Sequence, residues 1–366
     1  MGVAGVRQEG GESVAIKAAI TALWHGGIWL LLAASTGAIA AGQDGDTSVW
    51  ALSMDNDLFG PDQDDRDFTA GMALTYTGHR GRRFWGPLDD GLGWLDRTGP
   101  LASYLPEEAR NVPSIELGIY GFTPDLITTS RVVLNDRPYA SLLYLAAGRI
   151  YWDPRSGDAW TSSLTLGLLG LDLFEAGQRQ THRILSNFRA EGWDNQVSDG
   201  GEPTFRYHLG YHDLHGRNQG RGRWKTTYYL SLGYLTEAGM ALSYRNGLIS
   251  SPDHRFNPEL TAYGERLNES SLGVASGDES YLWAGVALKA RAYNVFLEGQ
   301  FRDSRHTIDR SRVRSTLMEA WVGYTLSVAR DWRLSYVLRA QSSEVEGGKA
   351  DRVMLWGGLV FSHTLR

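Results

Sequence analysis

The chain has 366 residues, with 13 Trp, 17 Tyr, 11 Phe, 44 Gly, no cysteine and a formal charge of −6. The absence of cysteine excludes a thiol nucleophile, a disulfide framework and a thiolate-ligated zinc site. An acidic balance without a basic stripe argues against a nucleic-acid partner. Abundant aromatics and glycines with few long apolar runs fit a membrane barrel better than a soluble α/β enzyme.

At the N-terminus, Arg7 and Lys17 precede a largely apolar stretch, 18–40, ending in Ala38-Ile39-Ala40. That end fits the small-x-small rule of a signal-peptidase site. Residues 1–40 are therefore expected to be an export signal and 41–366 the mature domain. The competing reading is a single retained membrane helix.

Past residue 42 no run approaches the roughly 18 consecutive apolar residues of a membrane helix, and alternation takes over. Phe68, Ala70, Met72, Leu74 and Tyr76 are apolar, while Thr69, Gly71, Ala73, Thr75 and Thr77 between them are small or polar. Trp332, Leu334, Tyr336, Leu338 and Ala340 alternate with Arg333, Ser335, Val337, Arg339 and Gln341. Period two shows a strand with one face in an apolar medium. A soluble sandwich would turn that face inward; a membrane barrel turns it to lipid and lines its interior with the polar face. An open sheet in lipid would leave an unpaired edge, so closure is expected.

The strand candidates run roughly over 48–55, 68–77, 113–121, 138–152, 160–170, 203–212, 224–235, 238–246, 281–290, 292–302, 314–328, 331–342 and 351–365. Bacterial single-chain barrels carry an even number of strands, so 281–302 is taken as one long strand. The expected fold is all-β: a twelve-stranded antiparallel transmembrane β-barrel with a short helix in an extracellular loop. Residues 79–112 read as a long connection holding a short helix, 247–280 as a polar loop, and 172–190 as the loop helix. In that helix Glu175, Gln178 and His182 share one face.

No G-x-S-x-G elbow, P-loop, dinucleotide fingerprint or H-E-x-x-H motif is present. Polar clusters stand instead where strands meet loops. The first is Asp55-Asn56-Asp57-Leu58-Phe59-Gly60, followed by Asp62, Asp64, Asp65 and Asp67. Carboxylates at this density suit a hard cation such as calcium, or simply a solvated acidic loop. As an EF-hand, Gly60 fits the sixth place, but Phe59 and Arg66 do not fit the fifth and twelfth. The second is Asn135-Asp136-Arg137-Pro138-Tyr139, whose Arg137 could grip a phosphate or carboxylate bidentately or serve a structural ion pair. The third is Gln178 and His182, then Gly192-Trp193-Asp194-Asn195-Gln196. His208, His212 and His215 read as structural or interfacial.

Three motifs together resemble a known family. Met54-Asp55-Asn56-Asp57-Leu58-Phe59 with Asp67-Phe68-Thr69-Ala70-Gly71 is similar to the N-terminal signature of the lipid A 3′-O-deacylase (LpxR-like) family. Gly121-Phe122-Thr123-Pro124 with Asp136-Arg137-Pro138-Tyr139-Ala140 is similar to its central motif, and Gln178-x-x-x-His182 with Gly192-Trp193-Asp194-Asn195-Gln196 to its third. The resemblance runs from about residue 48 to the C-terminus. It implies a barrel in the bacterial outer membrane acting on lipid A of lipopolysaccharide, with an active site between barrel wall and loop helix. It implies His182 as the base that activates a water, with Asn56, Asp57, Thr69 and Gln178 as polar site positions. It also implies Arg137 as a substrate contact and a calcium ion near Asp57. Glu175 and Glu191 are both candidates for the family's further acidic residue. Two other classes stay open: an outer-membrane phospholipase, which needs a Ser–His pair, and a non-catalytic, porin-like barrel.

Overall fold

The computed structural model describes residues 48–60, 67–79, 82–106, 109–153, 155–175, 178, 190–214, 222–267 and 277–365. The expected export signal, His182 and Asp62, Asp64 and Asp65 lie outside the described residues. Twelve strands close into one antiparallel barrel. They are β1 (Ser48–Asn56), β2 (Asp67–Thr77), β3 (Arg110–Thr123), β4 (Ala140–Trp152), β5 (Ala159–Leu169) and β6 (Glu202–Asp213). The second half comprises β7 (Gly222–Gly233), β8 (Leu235–Leu248), β9 (Ser280–Asn294), β10 (Thr316–Ala329), β11 (Trp332–Gln341) and β12 (Met354–Leu365). Each strand pairs with its sequence neighbours, and β1 closes on β12 with Ser48 opposite Leu365. Both termini of the barrel therefore sit at one end, called here the near end. Asn56, Asp67, Thr123 and Ala140 lie at the far rim. No helix among the described residues is long and apolar enough to cross a membrane.

The alternation resolves as expected into an outward apolar belt and an inward polar wall. Met72, Leu117, Leu166, Phe205, Leu230, Met240, Leu288, Met318 and Val322 are exposed. Thr75, Glu116, Thr165, Lys225, Arg245, Lys289, Arg333 and Arg339 are buried. At the near end, outward aromatics gather: Trp332 stacks on His363 at 4.0 Å and on Phe361 at 4.7 Å, and Trp50 meets Tyr76 at 4.9 Å. An apolar band with aromatic rings at a water interface is how a transmembrane barrel meets lipid.

Three features differ from the sequence expectation. The run 292–302 is not strand throughout: β9 stops at Asn294, whose side chain accepts from Phe296 N and caps a single helical turn, α2 (Val295–Glu298). Twelve strands stand, but the merged strand is shorter. The connection 79–112 holds a 17-residue helix, α1 (Arg82–Thr98), at the near end rather than a short one. The polar stretch 247–280 is a connection between β8 and β9 as expected, but it is not solvated: Pro258, Glu259 and Arg266 meet inward-facing wall groups in the barrel lumen.

Charge complementarity makes that entry favourable. Glu259 meets Lys225 at 2.7 Å and accepts from Thr227 and Ser243. Arg266 pairs with Asp55, and its backbone N–H donates to Glu116 at 2.9 Å. Arg339 donates to the Pro258 carbonyl at 2.8 Å. Buried charges are tolerated when paired and hydrogen-bonded. His212, read as structural, does serve this network, contacting Thr161 at 3.2 Å and Thr227 at 3.0 Å. Above it, Phe68, Tyr120, Phe122, Tyr263, Phe296 and Trp356 pack into one buried aromatic cluster. The interior is polar along its wall, yet it is filled.

Helix α1 is pinned from the other side. Asp89 pairs with Arg149 at 2.9 Å, and Asp96 accepts from Tyr151 and Ser162, each at 2.8 Å. Burial pushes the Asp96 carboxyl above the usual carboxylate range, against the pull of those hydrogen bonds and of Arg149. A raised folded-state pKa contributes stability that is fully present below the unfolded value of about 3.8. That contribution is lost as pH rises through the folded pKa. Asp96→Asn, neutral throughout, is expected to unfold at higher urea than the parent at neutral pH, with the gain vanishing below that unfolded value. Urea titration of the heat-modifiable band at both pH values checks this.

Candidate active site

The far rim of β1, β2 and β3 carries polar groups on the outward face of the wall. In β1 the inward row is Ala51, Ser53 and Asp55, and the outward row is Trp50, Leu52, Met54 and Asn56. Asn56 Oδ1 accepts from Leu58 N at 2.7 Å, capping the 3-10 turn Asp57–Phe59, and its Nδ2 donates to the Thr69 carbonyl at 2.8 Å. The turn folds outward: Tyr336 on β11 donates to the Phe59 carbonyl at 2.6 Å, and Phe59 lies over Gly357. Asp57 is buried and accepts from Leu58 N at 2.8 Å.

Strict alternation along β2 would put Phe68 on the lipid side and Thr69 in the lumen. A bulge reverses this. Phe68 pairs with Phe122 and Ala70 with Gly121, leaving Thr69 as the extra residue. Phe68 joins the interior cluster, its ring 5.7 Å from Phe122. Thr69 instead meets Thr123 hydroxyl to hydroxyl at 2.7 Å. Thr123 continues the outward row Leu117, Ile119 and Gly121.

Described residues of the 170–201 connection cover this surface. Leu173, Phe174, Glu175 and Gln178 are helical. Asn56, Ala70 and Gly121 stand opposite one another across β1, β2 and β3, and Phe174 lies on Gly121. A Cβ there would fall 2.8 Å from the Phe174 ring, so glycine is what lets the helix seat against the wall. Phe174, Tyr139, Ala190 and Trp193 form a buried cluster against Ala70, Ile119 and Ile127. Gln178 is buried, and its Oε1 accepts from Trp193 Nε1 at 2.7 Å.

The expected site residues therefore divide. Asn56 and Thr69 are joined directly, Asp57 opens the adjoining turn, and Gln178 is held by the element that covers the same wall. Arg137 goes elsewhere. It is 3% exposed, its guanidinium lies 4.2 Å over Phe122, and its charge partners Asp67 and Glu344 are each 3.6 Å away. Direct substrate contact needs an exposed guanidinium, so in this conformation Arg137 serves the rim, beside the Arg352 pairs to Asp67 and Asp136. Glu175 is half-buried in the helix and Glu191 exposed. Thr123, Gly121 and Trp193 were quoted in the motifs without a role, and it is packing that supplies one.

Asn56, Asp57, Thr69 and Gln178 each carry a side-chain oxygen, the ligand type a hard cation takes. Yet no three His, Asp or Glu side chains converge to hold an ion among the described residues. Asp57, at the head of the 3-10 turn, is the residue here whose carboxylate could ligate such an ion.

The sequence model of the family described as outer membrane protein LpxR matches residues 28–365. LpxR from Salmonella typhimurium is a similar solved structure, at TM-score 0.64 and 16% identity over 86% of this chain and 99% of that one. The β domain of the Bordetella autotransporter BrkA follows at TM-score 0.42 and 8% identity, over 87% of this chain and 99% of that one. The translocator domain of the autotransporter NalP from Neisseria meningitidis gives 0.38 and 10%, over 95% and 99%. No curated protein matches the sequence. With the family match spanning nearly the whole chain and the barrel common to both, this chain belongs to the LpxR family of outer-membrane proteins.

Proposed function

We propose that this chain is a hydrolase that removes the ester-linked 3′-acyloxyacyl group from lipid A of lipopolysaccharide. One observation carries the reading: Asn56, Thr69 and the Gln178 helix gather on the outward face at one rim. A channel would place its polar groups in the lumen, which here is crossed by residues 249–267 and lined by paired charges. With the near end in the periplasm, the far rim lies at the outer leaflet, where lipid A resides.

In this mechanism a water attacks the acyl carbonyl while His182, four residues past Gln178, takes its proton. The carbonyl carbon becomes tetrahedral, the ester C–O bond breaks, and the proton returns from His182 to the departing sugar oxygen. Asn56 has two Nδ2 hydrogens; one is committed to Thr69, and the second meets the substrate. Thr69, held by Thr123, fixes the carbonyl that orients Asn56. Gln178 donates from the covering helix. A calcium ion bound through Asp57 would supply Lewis-acid stabilisation of the oxyanion.

Mass spectrometry of lipid A incubated with the purified protein in detergent tests the proposal. The expected product has lost one 3′-linked acyloxyacyl group, and chelation of calcium is expected to slow its formation. Unchanged lipid A, with the barrel folded and calcium present, would overturn the assignment.

A further inference from the structure

We propose that Trp193 is a positioning residue that fixes Gln178 as a hydrogen-bond donor toward the scissile ester. This rests on the function proposed above. An indole N–H can only donate, so the Gln178 end that faces it must be the oxygen, as the 2.7 Å contact from Nε1 to Oε1 requires. The amide NH2 is then the end directed away from Trp193. A glutamine held in that sense stabilises negative charge growing on the acyl oxygen; the flipped amide would present its own oxygen and repel it.

The indole is built not to turn. Trp193 is 1% exposed, between Tyr139 at 4.9 Å and Phe174 at 5.1 Å. The preceding Gly192 admits the Tyr139 ring so closely that a Cβ would fall 2.5 Å from it. The segment is tied down on both sides of the tryptophan. Glu191 N donates to the Ile127 carbonyl at 2.9 Å, Asn195 Nδ2 to Ser130 O at 3.0 Å, and Val197 N to Tyr139 O at 2.8 Å. Flipping Gln178 would leave the buried indole N–H facing an NH2, two donors without an acceptor between them. The 124–139 connection thus holds the tryptophan, the tryptophan holds the glutamine, and the glutamine stands four positions before His182 in the sequence.

The test is a double-mutant cycle on lipid A hydrolysis in detergent with parent, W193F, Q178A and W193F/Q178A, each first checked for heat modifiability. Phenylalanine keeps an aromatic ring and removes the donor. W193F is expected to lower kcat about 10-fold with KM nearly unchanged, below the roughly 10²–10³-fold cost of losing an oxyanion donor outright. In the Q178A background the same change should cost nothing further. An equal loss in both backgrounds makes Trp193 a packing residue and overturns the proposal, as does an unchanged kcat in W193F. Exchange of the Trp193 indole proton, followed by NMR in detergent micelles, needs no activity. It should be slow in the parent and in Q178E, whose carboxylate still accepts, and fast in Q178A. Equal exchange in parent and Q178A refutes the hydrogen bond. Slow exchange in an inactive parent leaves the bond intact and refutes the proposed function alone.

Discussion

Replacing His182 with alanine is expected to lower acyl release by ~10²–10⁴-fold, the scale of a positioned acid–base group, while the protein still migrates as a folded, heat-modifiable barrel. The separation of effects follows from where the barrel keeps its stabilising contacts. The Glu259, Arg266, Asp96 and Arg339 networks lie inside the lumen. The wall row Asn56, Ala70 and Gly121, with Phe174 seated on it, faces outward. If the proposed base works against that outward row, its substitution leaves the inner networks untouched. His182→Gln makes the test sharper, because glutamine retains hydrogen-bonding capacity and cannot take a proton at working pH. Both variants should be equally slow, with KM near that of the parent, since binding and proton transfer are separate contributions. Activity near the parent level in His182→Gln would assign the base to another group.

The barrel itself was legible because lipid and lumen impose opposite chemistries at period two, so Leu334, Tyr336 and Leu338 separate from Arg333, Ser335 and Arg339 without tertiary information. The filling of that barrel was not. Glu259, Glu265 and Arg266 look like a solvated loop, because a charged residue reads the same whether water or a complementary wall charge meets it. Only the closed sheet brings Asp55 to Arg266 across 211 positions of sequence. The bulge at Thr69 was equally hidden: Phe68 extends a perfect alternation, and the aromatic cluster inside the lumen overrides it. At Asn294 a signal was present. An asparagine before Val295-Phe296-Leu297 is a helix-cap residue, and it ends β9 where apolar content alone would carry the strand on. At the site, the family resemblance singled out Asn56 and Thr69, which the fold joins, and Gln178, which it holds on Trp193. It could not tell that Arg137 lies over Phe122, behind the wall, because sequence proximity to a motif does not specify which face of a sheet a side chain takes.

The second large effect concerns stability and centres on Asp55, the neighbour of Asn56 whose side chain points the opposite way. Asp55 is 2% exposed and Arg266 1%. The guanidinium is held in a fork, Nε donating to Oδ2 at 2.9 Å and a terminal nitrogen to Oδ1. Gly358 on β12 leaves the room this pair occupies, since a Cβ there would collide with both partners. Asp55→Ala removes the carboxylate that takes two donors of a buried cation, a loss of about 3–5 kcal/mol when one partner of a buried pair is deleted. The urea midpoint of the heat-modifiable band is expected to fall accordingly, with an unchanged slope if the unfolded state is the same. The pair need not be worth that much in itself, because much of the loss comes from desolvated charge left uncompensated. Asp55→Leu combined with Arg266→Met, apolar on both sides, should therefore recover most of the midpoint. If the double variant is as unstable as Asp55→Ala, the packing of residues 249–267 in the lumen, and not charge neutralisation, sets the stability of the barrel. If Asp55→Ala unfolds at the parent's midpoint, the fork contributes nothing and the segment's other contacts, those of Glu259, Glu265 and Arg339 among them, hold it.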